Sequence, residues 1–220
     1  GNRPSQVEPA ATAPAPDWTA VEAAYAMPDR YSAAVVEQVL AAGGNAIDAA
    51  VAGAFALAVT YPEAGNLGGG GFLLAHVEGK TTFLDFREVA PRGATRDMFL
   101  DARGEPVPGL SLTGHKASGV PGTVAGLWEA HRRHGKLAWS AVVEPAVRLA
   151  ADGFVVPVPL AELAAAEQPR FTNTNFAAHF GGLQAGATFR QPELGATLQR
   201  VQAAGADGFY RGLTADLLVL

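Results

Sequence analysis

The sequence predicts a layered α/β protein, and three neighbouring stretches carry that prediction. Ala46 to Tyr61 is almost entirely Ala, Val, Leu, Phe and Gly after Asp48, the composition of a helix buried on every side. Gly65-Asn66-Leu67-Gly68-Gly69-Gly70-Gly71 follows, five residues of seven without a Cβ, where backbone turns sharply or approaches something closely. Phe72 to Val77 and Thr81 to Phe86 then read as a hairpin around Glu78-Gly79-Lys80. Both strands are apolar on both faces, which predicts a sheet that is covered on both sides.

The remaining elements follow in order. Tyr31 to Ala42 has Val35, Val39 and Leu40 at helical spacing and ends at Gly43-Gly44. Asn45 caps the apolar helix, with Asp48 three residues on, placed to reach back to the free amides. Ala90 to Thr113, with Pro91, Pro106 and Pro108, is a long surface excursion around a turn at Thr95 to Leu100. Ser118 to Thr123 leads into a helix running to about Arg133, with Pro121 near its first turn, and Gly135 stops it. Further helices are expected from Ser140 to Asp152, Pro159 to Glu167 and Pro192 to Ala204, with Pro169 to Gly186 irregular. Leu213 to Leu220 is an apolar pattern without a cap, and the expectation is a chain that stops before its domain does.

Composition excludes several classes of function. The 220 residues are 49% hydrophobic, enough to bury a real core. A formal charge of -5 leaves no polybasic footprint beyond the short Arg132-Arg133 spot, so nucleic acid is not an expected partner. There is no cysteine, which removes disulfides, a thiol nucleophile and a cysteine zinc site. Ala46 to Tyr61 is too short for a membrane span, so no stable membrane insertion is expected. Residues 1–30 form one expected unit, a flexible lead-in rich in Pro and Ala at its start, and residues 31–220 form the folded part. Trp18 and Met27-Pro28-Asp29 carry no assigned role.

The candidate chemistry gathers at the hairpin's open end. An antiparallel pair places Gly71 beside Arg87, with Asp85 and Glu88 close by. An arginine fork next to a glycine loop suits a carboxylate or phosphate. The competing reading is a structural ion pair of Arg87 with Asp85, Glu88 or Asp97, and the residues themselves leave both roles open. The glycine run is not a dinucleotide fingerprint, because a helix precedes it and a strand follows. Gly79-Lys80-Thr81 is not a phosphate-binding loop, since Leu74 stands where the opening glycine must be. His131 and His134 share a helix face without the third ligand a metal needs, and read as structural or solvated; no metal and no cofactor are expected. Ser111, Thr113, Ser118 and Thr123 are hydroxyls with no readable histidine-acid partner, and Ser118 or Thr123 reads as a helix cap or loop hydrogen bonder. The sequence thus presents a binding corner without a nucleophile.

Several ordered motifs resemble the γ-glutamyltransferase family, also called γ-glutamyltranspeptidase or glutathione hydrolase, closest to its bacterial secreted members. They are Gly43 to Ala50, Gly65 to Phe72, Asp85-Phe86-Arg87, Ala90-Pro91, Ala94 to Leu100, Ser118 to Gly126, Ala150 to Phe154 and Asp207 to Tyr210. The resemblance runs from about Tyr31 to the end. It implies the four-layer αββα N-terminal nucleophile hydrolase fold, of which this chain holds the helix-rich N-terminal portion with a β-hairpin. It implies a precursor cleaved into two chains, this one being the first part of the large subunit, and the catalytic threonine lying on the absent small subunit. No catalytic residue is then expected here. Arg87 matches the arginine that holds the α-carboxylate of the γ-glutamyl donor, glutathione or a similar compound. Gly68, Gly69, Gly70, Gly71, Asp85 and Glu88 are expected to support that pocket. The acceptor would be water, an amino acid or a peptide, and the compartment periplasmic or extracellular. The alternatives are an acylase acting on cephalosporins or poly-γ-glutamate, and a non-catalytic relative that only binds carboxylates.

Overall fold

The computed structural model describes residues 23–172 and 174–219, so Trp18 and most of the lead-in lie outside the described residues. The order is helix α1 (Arg30–Ala41), α2 (Ala46–Thr60), hairpin strands β1 (Phe72–Val77) and β2 (Lys80–Asp85), α3 (Thr123–His134) and α4 (Trp139–Asp152). Then come β3 (Phe154–Val155), α5 (Val158–Glu167), α6 (Phe176–Phe180), β4 (Thr188–Phe189), α7 (Pro192–Ala204), α8 (Asp207–Tyr210) and α9 (Gly212–Leu218).

Helix α2 is the centre because almost nothing on its surface tolerates water. Val51, Ala52, Phe55, Ala56 and Val59 have no exposure, and α1 and α4 pack along it. Its N-terminus carries the expected capping box: Asn45 Oδ1 accepts from the Ile47 and Asp48 amides, and Asp48 accepts from the Asn45 amide. Phe55 meets Trp139 edge to face at 5.6 Å, and Trp139 meets Trp128 at 4.8 Å, which ties α2 to α3 and α4. Asp29 caps α1 through the Tyr31 and Ser32 amides and also accepts from Thr60 Oγ1 at 2.9 Å. Met27 packs where Gly53 lacks a side chain. These two residues, which the sequence left without a role, tie the start of α1 to the middle and end of α2.

The hairpin departs from expectation in two respects. Lys80 pairs with Val77, so the turn is the two-residue Glu78-Gly79, with φ of 50° and 76°. One face of the sheet is open among the described residues: Phe72, Leu74 and Phe83 are 58%, 74% and 60% exposed. The apolar pattern predicts a sheet covered on both sides, and among the described residues no layer covers this face. The segment expected to be irregular, Pro169 to Gly186, holds a 3-10 turn at Gln168–Phe171 and the short α6. A second small sheet pairs β3 with β4 through Phe154 opposite Phe189. No helix among the described residues is long and apolar enough to cross a membrane.

Candidate functional site

The corner around Arg87 is built by three backbone segments at close quarters. Beyond β1 and β2 the ladder continues by one pair, with Phe86 N–H donating to Gly71 O at 3.0 Å. The chain from Phe86 to Val89 then passes between the glycine loop and Ser118 to Gly126, and Val89 bridges Val120. Each close approach needs a missing side chain. A Cβ on Gly70 would lie 2.6 Å from Arg87 Cα, and one on Gly122 or Gly126 would run into the Phe86 carbonyl or ring.

The loop is held to the first turn of α3. Gly69 O accepts the Gly122 and Thr123 amides at 2.7 and 3.1 Å. The Ala125 amide donates to Tyr210 Oη at 3.2 Å, while that hydroxyl donates to Pro121 O at 2.9 Å. Burial pushes the Tyr210 phenol above its ordinary value, which keeps it a neutral donor. These amide donors of α3 are thus taken by protein oxygens. Thr123 does not cap α3; its hydroxyl donates to Asn66 Oδ1 at 3.1 Å, and Gly122 is the cap residue.

Among the described residues Arg87 is fixed at its backbone and only loosely held at its tip. Its amide donates to Asp85 Oδ1 at 3.0 Å, so Asp85 shapes the turn rather than pairing with the guanidinium. The side chain is 65% exposed, with Nε 4.0 Å from Glu88 Oε2 and the guanidinium 5.9 Å from the Phe72 ring centroid. That ion pair is long and solvated, leaving most of the five donors for another group. Among the described residues Asp97 pairs with Arg96, not with Arg87. The four glycines expected to support a pocket separate by environment: Gly69 lies against Asn66, Gly70 against Arg87, Gly71 against the Phe86 ring, and Gly68 against open space.

The other candidates resolve into structure. His131 Nε2 lies 3.0 Å from Leu137 O and 3.4 Å from the buried Asp48 carboxylate. Arg132 and Arg133 both grip Glu129, and hold its carboxyl down at about 2. Among the described residues no three His, Asp or Glu side chains gather as metal ligands. What sequence reasoning passed over is Asn66, whose side chain organises the loop; an Asn inside a glycine run, able to accept from amides two or three residues on, was the available signal.

Fold and corner together define a layered α/β protein in which a glycine loop closes on an exposed arginine. The family model described as gamma-glutamyltranspeptidase matches residues 32–220, and the chain belongs to that family. It is 55% identical over 197 residues to a glutathione hydrolase proenzyme of Pseudomonas aeruginosa, covering 89% of this chain and 35% of that protein. The proenzyme of Escherichia coli is 47% identical over 185 residues, covering 81% of this chain and 32% of its own length. The chain thus spans about a third of the curated relatives it matches. In three dimensions it is similar to the gamma-glutamyltranspeptidase from Pseudomonas nitroreducens complexed with L-DON, with a TM-score of 0.87 and 52% identity, covering 90% of this chain and 59% of that one. The helix-rich fold with its hairpin is therefore that of the family's N-terminal portion, as the motifs implied. The acylase alternative is not favoured by these likenesses.

Proposed function

We propose that the complete protein transfers and hydrolyses γ-glutamyl groups of glutathione and similar compounds, and that this chain supplies the donor's carboxylate grip. The observation that carries this reading is Arg87, pinned at its backbone between Gly70 and Gly122 while its guanidinium stands open to a ligand. A planar fork of this kind takes an α-carboxylate through two parallel N–H···O bonds. Asp85 holds the turn, and Glu88 is a weak partner that a ligand carboxylate displaces.

Gripping the α-carboxylate fixes where the γ-amide lies, which is the positional part of catalysis. The chemical part belongs to a threonine at the start of a small subunit cut from the same precursor. Its hydroxyl oxygen attacks the γ-carbonyl carbon as the proton passes to its own amine. The C–N bond breaks and the departing amine takes that proton; water, an amino acid or a peptide then attacks the γ-glutamyl ester, the C–O bond to the threonine breaks, and the attacking group's proton returns to the threonine oxygen. That relatives are known as proenzymes supports the two-chain reading. We place the protein in the periplasm or outside the cell, following the resemblance to secreted members.

The test uses the full gene product. Intact masses should reveal a second chain beginning with threonine. Arg87→Gln should leave that cleavage unchanged and lower kcat/KM for glutathione by about tenfold to a hundredfold, the loss of charged hydrogen bonds. Unchanged preference for γ-glutamyl over plain acyl donors would refute the Arg87 role. A single uncleaved chain without transfer activity would identify a carboxylate-binding relative instead.

A further inference from the structure

We propose that the Asn66–Thr123 hydrogen bond is a positioning device that sets the place of Arg87, and through it selectivity for donors bearing an α-carboxylate. This rests on the reading of Arg87 given above. Neither residue reaches toward the guanidinium in the contacts described; the effect passes through backbone.

Asn66 Oδ1 accepts twice, from the Gly69 amide at 2.6 Å and from Thr123 Oγ1 at 3.1 Å, while Nδ2 donates to Ala64 O at 3.0 Å. One side chain therefore closes the glycine loop and anchors it to α3. Gly69 O completes the clasp by accepting from Gly122 and Thr123. Residues next to the clasp close on the Arg87 segment: a Cβ on Gly70 would lie 2.6 Å from Arg87 Cα, and one on Gly122 would meet the Phe86 carbonyl. The Phe86–Arg87 peptide is gripped as between two jaws, and Asn66 with Thr123 sets the gap between them.

The two ends differ in burial. Thr123 is 7% exposed, so removing its hydroxyl leaves packing in place if the substitute is Val. Asn66 lies at an exposed position, where substitution costs little in folding beyond the lost loop closure. A bidentate carboxylate contact is sensitive to displacements of a fraction of an ångström, whereas hydrophobic contacts of a leaving group are not.

The experiment compares two anilide donors on the processed two-chain enzyme: γ-glutamyl anilide, and the same compound with its α-carboxylate converted to a carboxamide. The unaltered enzyme should prefer the carboxylate. Asn66→Ala and Thr123→Val should each reduce that preference at least about fivefold, the worth of one hydrogen bond, through KM for the carboxylate donor. Thr123→Ser, which keeps the hydroxyl, should retain it. An equal fall for both donors would show a merely structural role and overturn the proposal, as would full retention of the preference in both variants. If Thr123→Val does not mature, Asn66→Ala decides alone; should that variant also fail to mature, the pair is a folding element and the proposal falls. A lack of preference in the unaltered enzyme would instead refute the Arg87 reading itself.

Discussion

The Asp48 carboxylate, with no solvent exposure, lies 3.4 Å from His131 Nε2 and accepts the amides of Asn45, Lys136 and Leu137. One side chain thereby starts α2 and fixes the turn between α3 and α4, the helix packed along it. The site depends on this at a distance, because α3 is the element whose first turn clasps the glycine loop.

Asp48→Ala should therefore be among the most damaging substitutions outside the site. It removes a fully buried carboxylate that accepts three backbone amides, and hydrogen bonds to a charged group are worth about 1.5–3 kcal/mol each. The expected outcome is a loss of about 3 kcal/mol or more in urea unfolding of the processed protein, or failure to accumulate it. A change under 1 kcal/mol would mean that water replaces the carboxylate.

The glycine loop should answer substitution unevenly. Gly68→Ala meets nothing within 4 Å, and its activity on γ-glutamyl anilide should remain within about twofold of the parent. Gly70→Ala drives a Cβ to 2.6 Å from Arg87 Cα and 2.7 Å from the Glu88 amide nitrogen, neither of which is a flexible tip. It should cost tenfold or more in kcat/KM, on the order of 1.4 kcal/mol, mostly in KM. Equal behaviour of the two variants would contradict this placement of the loop.

The hairpin turn leaves stability to be gained. Glu78 has φ of 50°, a left-handed conformation that a glutamate adopts at a cost and an asparagine more readily. Glu78→Asn creates the Asn-Gly pair this turn type favours. A gain of about 0.5–1 kcal/mol is expected, read as an upward shift of the thermal midpoint with unchanged activity.

Acid should release one surface tie on α3. Hydrogen bonds from Arg132 and then Arg133 lower the Glu129 carboxyl from an ordinary 4.5 to about 2. A depressed folded value means the stabilisation is whole above 4.5 and is lost as pH falls through about 2. NMR titration of the Glu129 carboxyl should show the low midpoint in the folded protein. In Arg132→Gln the midpoint should move up toward 4.5, and an unmoved midpoint would assign the effect elsewhere.

Much of the fold is legible in the residues because it is governed by local rules. The Asn45–Asp48 capping box, the helices around Val35, Leu127 and Leu198, and the existence of the hairpin each follow from spacing over a few positions, whereas its register is shifted by one because the turn takes two residues rather than three. The open hairpin face was not legible, because alternation marks Phe72, Leu74 and Phe83 for burial without saying which chain covers them. Arg87 could be placed beside the glycine loop from strand pairing, yet its role stayed divided between ligand and ion pair. Only the distances to Glu88 and Asp85 show that, among the described residues, its tip is loosely held and its backbone fixed.

What the sequence determined by itself was the kind of elements, their order and the meeting of a glycine run with an arginine, since pairing and periodicity act along the chain. The tertiary structure alone decided that Asn66 reaches Thr123 across 57 positions and that Gly70 and Gly122 close on the same peptide. Such contacts are set by how α3 docks against the loop, and packing of distant segments leaves no periodic trace in the residues that make it.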